Sequence, residues 1–140
     1  MPTDHSSPQV IAHIDGASRG NPGPASYGVL LESEDGAPLA NLSKTLGHTT
    51  NNVAEYHALL AALEYAVEHQ VQRLKVLTDS ELLARQIQGV YKVRSLDLKP
   101  LHARARSAIA RLESFSIQHV RREQNTKADR LANLALDGAE

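Results

Sequence analysis

The stretch that most restricts the fold is a short apolar run that meets one acid and then a turn rich in Gly and Pro. The apolar residues 10–12 lead to Asp15, and the next nine residues hold three glycines and two prolines. Such a turn lets backbone N–H groups approach an anion, and Ser18 and Asn21 add polar side chains beside it. The stretch predicts a buried strand whose final acid suits a metal held against a phosphate. An Asp that only ends a strand and starts a turn is the alternative.

Apolar periodicity divides the rest of the chain into short strands and helices. The pair Asp35-Gly36 indicates a hairpin turn, and Gly89 is expected to end the second helix. Asn51 or Asn52 is expected to cap the first helix, and Asn125 or Thr126 the last. The strands are predicted at residues 10–14, 26–32, 39–46, 74–78 and 114–120, and the helices at residues 53–69, 80–88, 98–112 and from 126 onward.

The order of these elements, βββαβααβα, predicts an α/β fold. Three consecutive strands with short turns form an antiparallel meander. The strand–helix–strand step that follows favours parallel pairing of the fourth strand with the first. A right-handed crossover then brings the ends of those two strands to the same edge. We expect a mixed five-stranded sheet flanked by helices.

Length and composition indicate one globular domain over residues 10–140, with residues 1–9 as a frayed, disordered tail. The chain has no cysteine, which excludes disulfides and thiolate metal sites and is compatible with a cytoplasmic protein. No apolar run reaches the roughly 18 residues of a membrane span.

Charge is distributed unevenly along the chain. Residues 1–70 contain two Lys or Arg and eight Asp or Glu, a net charge of −6, whereas residues 71–140 contain thirteen and eight, a net charge of +5. This asymmetry indicates an anionic partner for the second half, and a solvated helix surface is the alternative.

Four acids fall at the ends of predicted elements: Asp15, Glu55, Asp79 and Asp129. Each has an ordinary explanation, as a strand end, a helix N-cap or a favourable charge in a first helical turn. Together, the topology can place all four at one edge of the sheet, where they repel one another unless cations neutralise them. Hard divalent cations prefer such oxygen ligands, and two of them can drive phosphodiester cleavage.

Four motifs in order then resemble one family. They read Asp-Gly-Ala-Ser-x-Gly-Asn-Pro-Gly-Pro, Thr-Thr-Asn-Asn-x-x-Glu, Thr-Asp-Ser and Asn-x-x-x-Asp, and they extend over nearly the whole chain. In this combination and at these separations the chain resembles ribonuclease H type 1. The resemblance implies an endonuclease that hydrolyses the RNA strand of RNA–DNA hybrids and leaves 5′-phosphate and 3′-hydroxyl ends. It also implies two Mg²⁺ ions, with Mn²⁺ as a substitute, held by the four acids.

The same resemblance implies substrate contacts. Asn21 and Thr50 match positions that hold a phosphate of the DNA strand, and Asn51 and Asn52 match positions that touch nucleotides across the minor groove. Simple helix capping or loop filling are the alternatives for these residues. Further substrate contacts are expected in the turn and after the fourth strand, at Gly16, Ser18 and Ser80.

The chain departs from the family pattern in the loop before the last acid. Many members carry a mobile His there that helps product release, whereas this loop has Arg122 and Glu123, and His119 lies earlier. We expect Arg122 to replace that His as a catalytic residue, because a guanidinium can hold a departing phosphate. An ordinary surface Arg is the alternative.

The second departure is a missing basic helix, the handle, after the Asp79 helix. The chain therefore resembles the shorter branch found in some bacteria and archaea. Tyr91, Lys92 and Arg94 are the expected smaller contact to the DNA strand, with Tyr91 at the edge of the core as the alternative.

Two other functions remain open from the sequence. One is a nuclease of the same fold that acts on double-stranded RNA or DNA, and the other is a hybrid-binding module without catalysis. We expect the protein to be a monomer that binds nucleic acid and no membrane.

Overall fold

A five-stranded mixed sheet forms the centre of the computed structural model, which describes residues 7–139. Its strands stand in the order β3-β2-β1-β4-β5. β1 pairs antiparallel with β2 and β2 with β3, while β1 pairs parallel with β4 and β4 with β5. The predicted meander and parallel pairing are thus confirmed. The strands are β1 (Gln9–Ser18), β2 (Gly23–Ser33), β3 (Pro38–Thr49), β4 (Arg73–Thr78) and β5 (Ser114–His119).

Four α-helices cover the two faces of this sheet. α1 packs on β1 and β2 and also contacts α3, whereas α4 packs on β2, β1 and β3. A short 3₁₀ turn, Arg122–Gln124, precedes the last helix. The helices are α1 (Asn51–Glu68), α2 (Glu81–Gln88), α3 (Lys99–Ile109) and α4 (Thr126–Ala139). None of the helices in the described part of the chain is long and apolar enough to cross a membrane.

The main core lies between the sheet and α1. Alternate residues of β1, Ala12 and Ile14, are fully buried there, as are Leu59 and Leu63 of α1. Each large apolar side chain buried in this way contributes about 1.5–3 kcal/mol. α1 is buried on most of its circumference, because the sheet lies on one side of it and α3 on another. This packing fixes the helix rigidly on the sheet.

Four of the five strands are longer than the sequence predicted, and β1, β2 and β3 each gain four residues or more. β1 continues past residue 14 because β2 still pairs with it as far as Ser18, so Asp15 lies inside a strand instead of at its end. β3 likewise continues to Thr49, with a register shift opposite Ala25 and Ser26. Gly47, at φ +74°, lies at this irregularity, where a glycine is favoured.

The helix caps also differ from the prediction. Thr50 caps α1, its Oγ1 accepting a hydrogen bond from the N–H of Val53 at 3.2 Å, so neither Asn51 nor Asn52 is the cap. The Nδ2 of Asn125 donates to Ile14 of β1, and its buried Oδ1 accepts no hydrogen bond from the described residues, so this side chain does not cap α4.

Helix ends moved slightly as well: α3 begins at Lys99 and ends at Ile109, three residues before the predicted end. Of the predicted tail, residues 1–6 lie outside the described residues, and Gln9 already belongs to β1.

Candidate active site

Two of the four acids meet because β1 and β4 are parallel neighbours. Ile14 stands in register with Thr78, the last residue of β4, so the next residue of each strand, Asp15 and Asp79, lies at the same sheet edge. Asp15 follows the last β4-paired position while β1 remains paired with β2. One oxygen each from Asp15, Asp79 and Glu55 lie within 4.8 Å of one another. We call these three residues the acid trio.

Glu55 reaches this edge from the second turn of α1 and not from its first, because the helix begins at Asn51 and not at residue 53. It is 4% exposed, and its Oε1 accepts a hydrogen bond from the N–H of Gly16 at 3.1 Å. Only a glycine fits at that point of β1, because a Cβ on Gly16 would lie 2.4 Å from the N of Glu55 and 2.5 Å from the carbonyl carbon of Ala54. The close approach of strand and helix therefore places the carboxylate.

Asp129 approaches from the first turn of α4, on the opposite face of the sheet. Its carboxyl lies near that of Asp15 and helps to raise the pKa of that group, so the fourth predicted acid stands beside the trio. Asp129 is half-buried, and its carboxylate does not belong to the set of Asp15, Glu55 and Asp79 oxygens that lie within 4.8 Å of one another. Asn133 holds it by donating to its Oδ1 at 3.3 Å. The structure therefore brings all four acids to one edge, three of them tightly.

Electrostatic repulsion within this cluster is strong. Burial raises the pKa of Asp15, and the carboxylates of Glu55 and Asp79 raise it further. Burial and then Asp79 raise the pKa of Glu55, while the N–H of Gly16 and the charge of Arg122 lower it in part. Buried carboxylates that resist ionisation in the absence of a cation suit a hard divalent ion. Its positive charge offsets both the cost of burying a charge and the repulsion between the acids. The donor set contains only carboxylates, so it fits such an ion.

Removal of divalent cations should make the protein less stable as the pH rises. From about pH 4, where carboxyls of the unfolded chain ionise, the folded protein holds more protons than the unfolded one because the pKa values of Asp15 and Glu55 are raised. The free energy of unfolding therefore falls with pH across that window. Thermal melts in EDTA from pH 4.5 to 8.5 should show a decreasing Tm, and millimolar Mg²⁺ should restore several degrees at the upper end. A Tm that rises with pH in EDTA, or that ignores Mg²⁺, would contradict this account.

Arg122, the predicted replacement for the absent His, lies beside the acids. Its Nε is 3.6 Å from Oδ2 of Asp79, although its side chain is 85% exposed. The guanidinium thus extends from the 3₁₀ turn over the mouth of the site with most of its surface free. His119 is the last residue of β5 and is exposed, and Glu123 is exposed in the same turn.

The predicted phosphate-binding residues gather at the N-terminus of α1. Oδ1 of Asn21 accepts a hydrogen bond from the N–H of Asn51 at 3.0 Å. Thr50, the residue before Asn51, is the helix cap. Asn52 is exposed. This grouping places two amide side chains and a hydroxyl next to the positive end of a helix dipole, where anions are stabilised.

Ser18 and Ser80 have different surroundings. Ser18 is half-buried at the end of β1. Ser80 is the N-cap of α2, its Oγ accepting from the N–H of Leu83 at 3.1 Å, so its hydroxyl already has a structural partner next to Asp79.

The predicted handle-less segment is confirmed as residues 89–98, which hold no helix between α2 and α3. Tyr91 is 44% exposed, so it does not belong to the core edge. Lys92 and Arg94 are also exposed. All three side chains are available to a partner.

Three residues hold α4 in place in ways that were not predicted from the sequence. A Cβ on Gly28, the partner of Asp15 in the β1–β2 register, would lie 2.5 Å from the carbonyl oxygen of Ala128. Ser26 Oγ donates to the carbonyl oxygen of Ala132 at 2.5 Å. Asn125 Nδ2 donates to the carbonyl oxygen of Ile14 at 2.8 Å. A glycine inside a strand was the one available signal, since it often marks a close backbone approach.

Comparisons with known proteins point to one family. The family model described as reverse transcriptase-like matches residues 13–135. Ribonuclease HI of Halobacterium salinarum is 45% identical over 131 residues, which cover 94% of this chain and 66% of that protein. A bifunctional protein of Mycobacterium tuberculosis is 42% identical over 132 residues, 94% of this chain and 36% of its own length. The chain therefore spans less than two thirds of these curated relatives.

Solved structures agree in fold over nearly the whole chain. The N-terminal ribonuclease H domain of the Mycobacterium tuberculosis protein superposes with a TM-score of 0.91 at 42% identity, covering 95% of this chain and 96% of that one. A type 1 ribonuclease H named LC11, solved with an RNA/DNA hybrid, gives a TM-score of 0.88 at 41% identity, covering 93% and 98%. With a matching family model, sheet topology and four acids at one edge, the chain belongs to the ribonuclease H type 1 family.

Proposed function

We propose that this chain is an endonuclease that hydrolyses the RNA strand of RNA–DNA hybrids and leaves 5′-phosphate and 3′-hydroxyl ends. The observation that carries the proposal is the convergence of the acid trio within 4.8 Å, with Asp129 beside Asp15. Binding alone would not need four carboxylates held together at such an electrostatic cost. The cluster therefore favours catalysis over a hybrid-binding module.

The four acids are the proposed ligands of two Mg²⁺ ions, for which Mn²⁺ substitutes. When bound there, such ions would supply charge stabilisation for a phosphodiester displacement and would lower the pKa of an attacking water. The protein residues keep the carboxylates in place. Gly16 fixes Glu55 through its N–H, and Asn125 ties the start of the Asp129 helix to β1.

Substrate choice is proposed to rest on the surface around the N-terminus of α1. The group of Asn21, Thr50 and Asn51 offers donors and a helix end to a phosphate of the DNA strand. The exposed amide of Asn52 suits the shallow minor groove, where 2′-hydroxyls distinguish RNA from DNA. The solved complex of the LC11 enzyme, similar at 41% identity, contains an RNA/DNA hybrid and supports this substrate class.

A cleavage assay separates this proposal from its rivals. End-labelled RNA–DNA hybrid, double-stranded RNA and double-stranded DNA of one sequence are incubated with the protein in Mg²⁺, in Mn²⁺ and in EDTA. The proposal expects metal-dependent cleavage of the RNA strand of the hybrid, with 3′-hydroxyl ends that a polymerase can extend. Hybrid binding without cleavage in either metal would favour a binding module, and cleavage of DNA alone would favour a different nuclease.

We expect a monomer in solution, located in the cytoplasm.

Replacing Arg122 by Ala should lower turnover far more than it weakens hybrid binding. Arg122 lies over the mouth of the site with one contact, at 3.6 Å to Asp79, and is otherwise exposed, so its loss should not disturb the fold. A guanidinium that holds a departing phosphate contributes after the substrate is bound, and we expect kcat to fall by about tenfold to a hundredfold with KM within about twofold. The neighbouring exposed Arg121 provides the matched control, as Arg121→Ala. Equal losses in kcat and in affinity would refute this role.

A further inference from the structure

The carboxylate of Asp129 is hydrogen-bonded within its own helix, by a residue one turn further along. Nδ2 of Asn133 donates to the carbonyl oxygen of Asp129 at 2.9 Å and to its Oδ1 at 3.3 Å. Both residues are half-buried. We propose that Asn133 is a positioning residue that presents Asp129 to a divalent ion through a single oxygen and so favours Mg²⁺ over Ca²⁺. The inference rests on the proposed function and extends it to the choice of metal.

The backbone of α4 is already fixed on the sheet at this point. Asn125 Nδ2 donates to a carbonyl oxygen of β1 at 2.8 Å, and Ser26 Oγ donates to the carbonyl oxygen of Ala132 at 2.5 Å. These two bonds lie on either side of Asp129 along the helix. The freedom that remains to Asp129 is the rotation of its own side chain, whose terminal torsion has broad minima. The hydrogen bond from Asn133 restricts that rotation.

Asp129 is the acid whose orientation is set least by the sheet itself. The acid trio brings one oxygen of each member within 4.8 Å, whereas the carboxylate of Asp129 stands beside this set. Its contribution to an ion therefore depends on which of its two oxygens faces the trio. The bond from Asn133 directs Oδ1 along the helix and leaves Oδ2 as the oxygen offered to an ion.

A carboxylate that offers one oxygen suits Mg²⁺ better than Ca²⁺. Mg²⁺ requires a near-octahedral arrangement at about 2.0–2.1 Å and keeps several waters, whereas Ca²⁺ takes about six to eight oxygens and binds carboxylates through one or both of theirs. Binding through both oxygens of Asp129 would require the loss of its hydrogen bond to Asn133. That bond therefore disfavours the larger ion, although the two ions carry the same charge.

A role in helix stability explains only part of this contact. An asparagine in a helix can hydrogen-bond the carbonyl four residues earlier, as Asn133 does at 2.9 Å. Asparagine is nevertheless a poorer helix former than alanine, and this position lies in the middle of a 14-residue helix. Helix stability alone therefore favours alanine here. A hydrogen bond to a metal-binding carboxylate accounts for the amide, since such partners change metal affinity or activity by about 10-fold to 100-fold.

The test compares Mg²⁺ and Ca²⁺ binding by Asn133→Ala and by the parent, without nucleic acid. Each ion is titrated at pH 7.5, and its Kd is taken from the NMR shifts of the backbone amides at the four acids. Asn133→Ala should weaken Mg²⁺ binding by about tenfold and Ca²⁺ binding by less than about threefold, so the ratio of the two affinities falls. Because the ions have equal charge, this ratio reports the geometry of the site even if the variant melts below the parent.

Two further variants separate the donor from the rest of the side chain. Asn133→Gln keeps an amide donor and should bind Mg²⁺ within about threefold of the parent. Asn41→Ala makes the same change as Asn133→Ala at an exposed position of β3 and should leave both affinities unchanged. In the cleavage assay, the Mg²⁺ concentration for half-maximal rate should rise for Asn133→Ala in step with its Kd.

The remaining outcomes overturn the inference. An unchanged ratio of Mg²⁺ to Ca²⁺ affinity in Asn133→Ala, including an equal loss for both ions, would show that Asn133 does not select the metal. An Asn133→Gln variant as weak as Asn133→Ala would remove the role of the amide donor. If the parent binds Mg²⁺ and cleaves hybrid while the ratio is unchanged, this inference fails alone. A parent that neither binds Mg²⁺ nor cleaves hybrid removes the proposed function itself.

Discussion

Asp15→Asn is expected to reduce cleavage of an RNA–DNA hybrid by about 10³-fold or more at saturating Mg²⁺, with hybrid affinity within a few-fold of the parent. Asp15 lies in the acid trio with Glu55 and Asp79, and all three other acids of the cluster raise its pKa. A neutral amide of the same shape keeps the packing but weakens the site for a divalent ion. Metal ions supply several kcal/mol to such transition states, which corresponds to a loss of this size.

A stability measurement separates lost chemistry from lost folding in this variant. Because burial and neighbouring acids raise the pKa of Asp15, the amide removes a repulsive group. Asp15→Asn should therefore melt above the parent in EDTA at pH 7.5, and the difference should shrink in Mg²⁺. Asp97→Asn, the same change at an exposed position, is the control and should leave both cleavage and melting near the parent. A variant that keeps more than a tenth of the parent activity would remove Asp15 from the proposed mechanism.

Gly16→Ala should lower both the stability and the cleavage rate of the protein. The new Cβ would lie 2.4 Å from the N of Glu55 and 2.5 Å from the carbonyl carbon of Ala54, and both of these neighbours are backbone atoms. The start of α1 must then move by about 1 Å to reach ordinary contact, since packed backbone cannot give way locally. Overpacking of this kind costs about 1–3 kcal/mol. The same displacement moves Glu55 away from Asp15 and Asp79, and a 1 Å misplacement costs about 10²-fold in rate.

The two effects of Gly16→Ala can be measured separately. Chemical denaturation gives the loss of stability, and cleavage at a temperature where the variant is fully folded gives the loss of rate. Gly138→Ala is the matched control, because a Cβ there meets nothing within 4 Å and alanine favours a helix. It should be neutral or slightly stabilising. Normal cleavage by folded Gly16→Ala would show that Glu55 does not depend on this close approach.

The sequence predicted the sheet well because apolar periodicity is a local property. Each strand and helix was recognised from which residues alternate or recur at helical spacing, and topology rules supplied the pairing. Strand ends were less certain because they depend on partners. β1 extends to Ser18 because β2 pairs with it there, while its other neighbour, β4, already ends at Thr78. The residues around Asp15 give no signal that β1 pairs further with β2 than with β4.

Helix capping went wrong for a related reason. Thr50, Asn51 and Asn52 are all good N-caps by residue type. The choice was made by contacts from elsewhere: Asn21, thirty residues earlier, takes the N–H of Asn51, and the helix begins at that residue. Asn125 similarly had the right chemistry for a cap, but its side chain donates to Ile14, 111 residues away. Residue type shows which hydrogen bonds these side chains can make. The fold determines which of those hydrogen bonds form.

By itself, the sequence determined the element order and the chemistry of the site. Four acids that the topology can bring to one sheet edge favour a divalent cation there, because like charges repel at short distance, and their motifs indicated the family. Only the tertiary structure decided how close the acids come. It did so through Gly16 and Gly28, where the missing side chains let α1 and α4 approach opposite faces of the sheet. Periodicity reports which face of an element is buried, whereas distances between elements arise only when remote segments pack together.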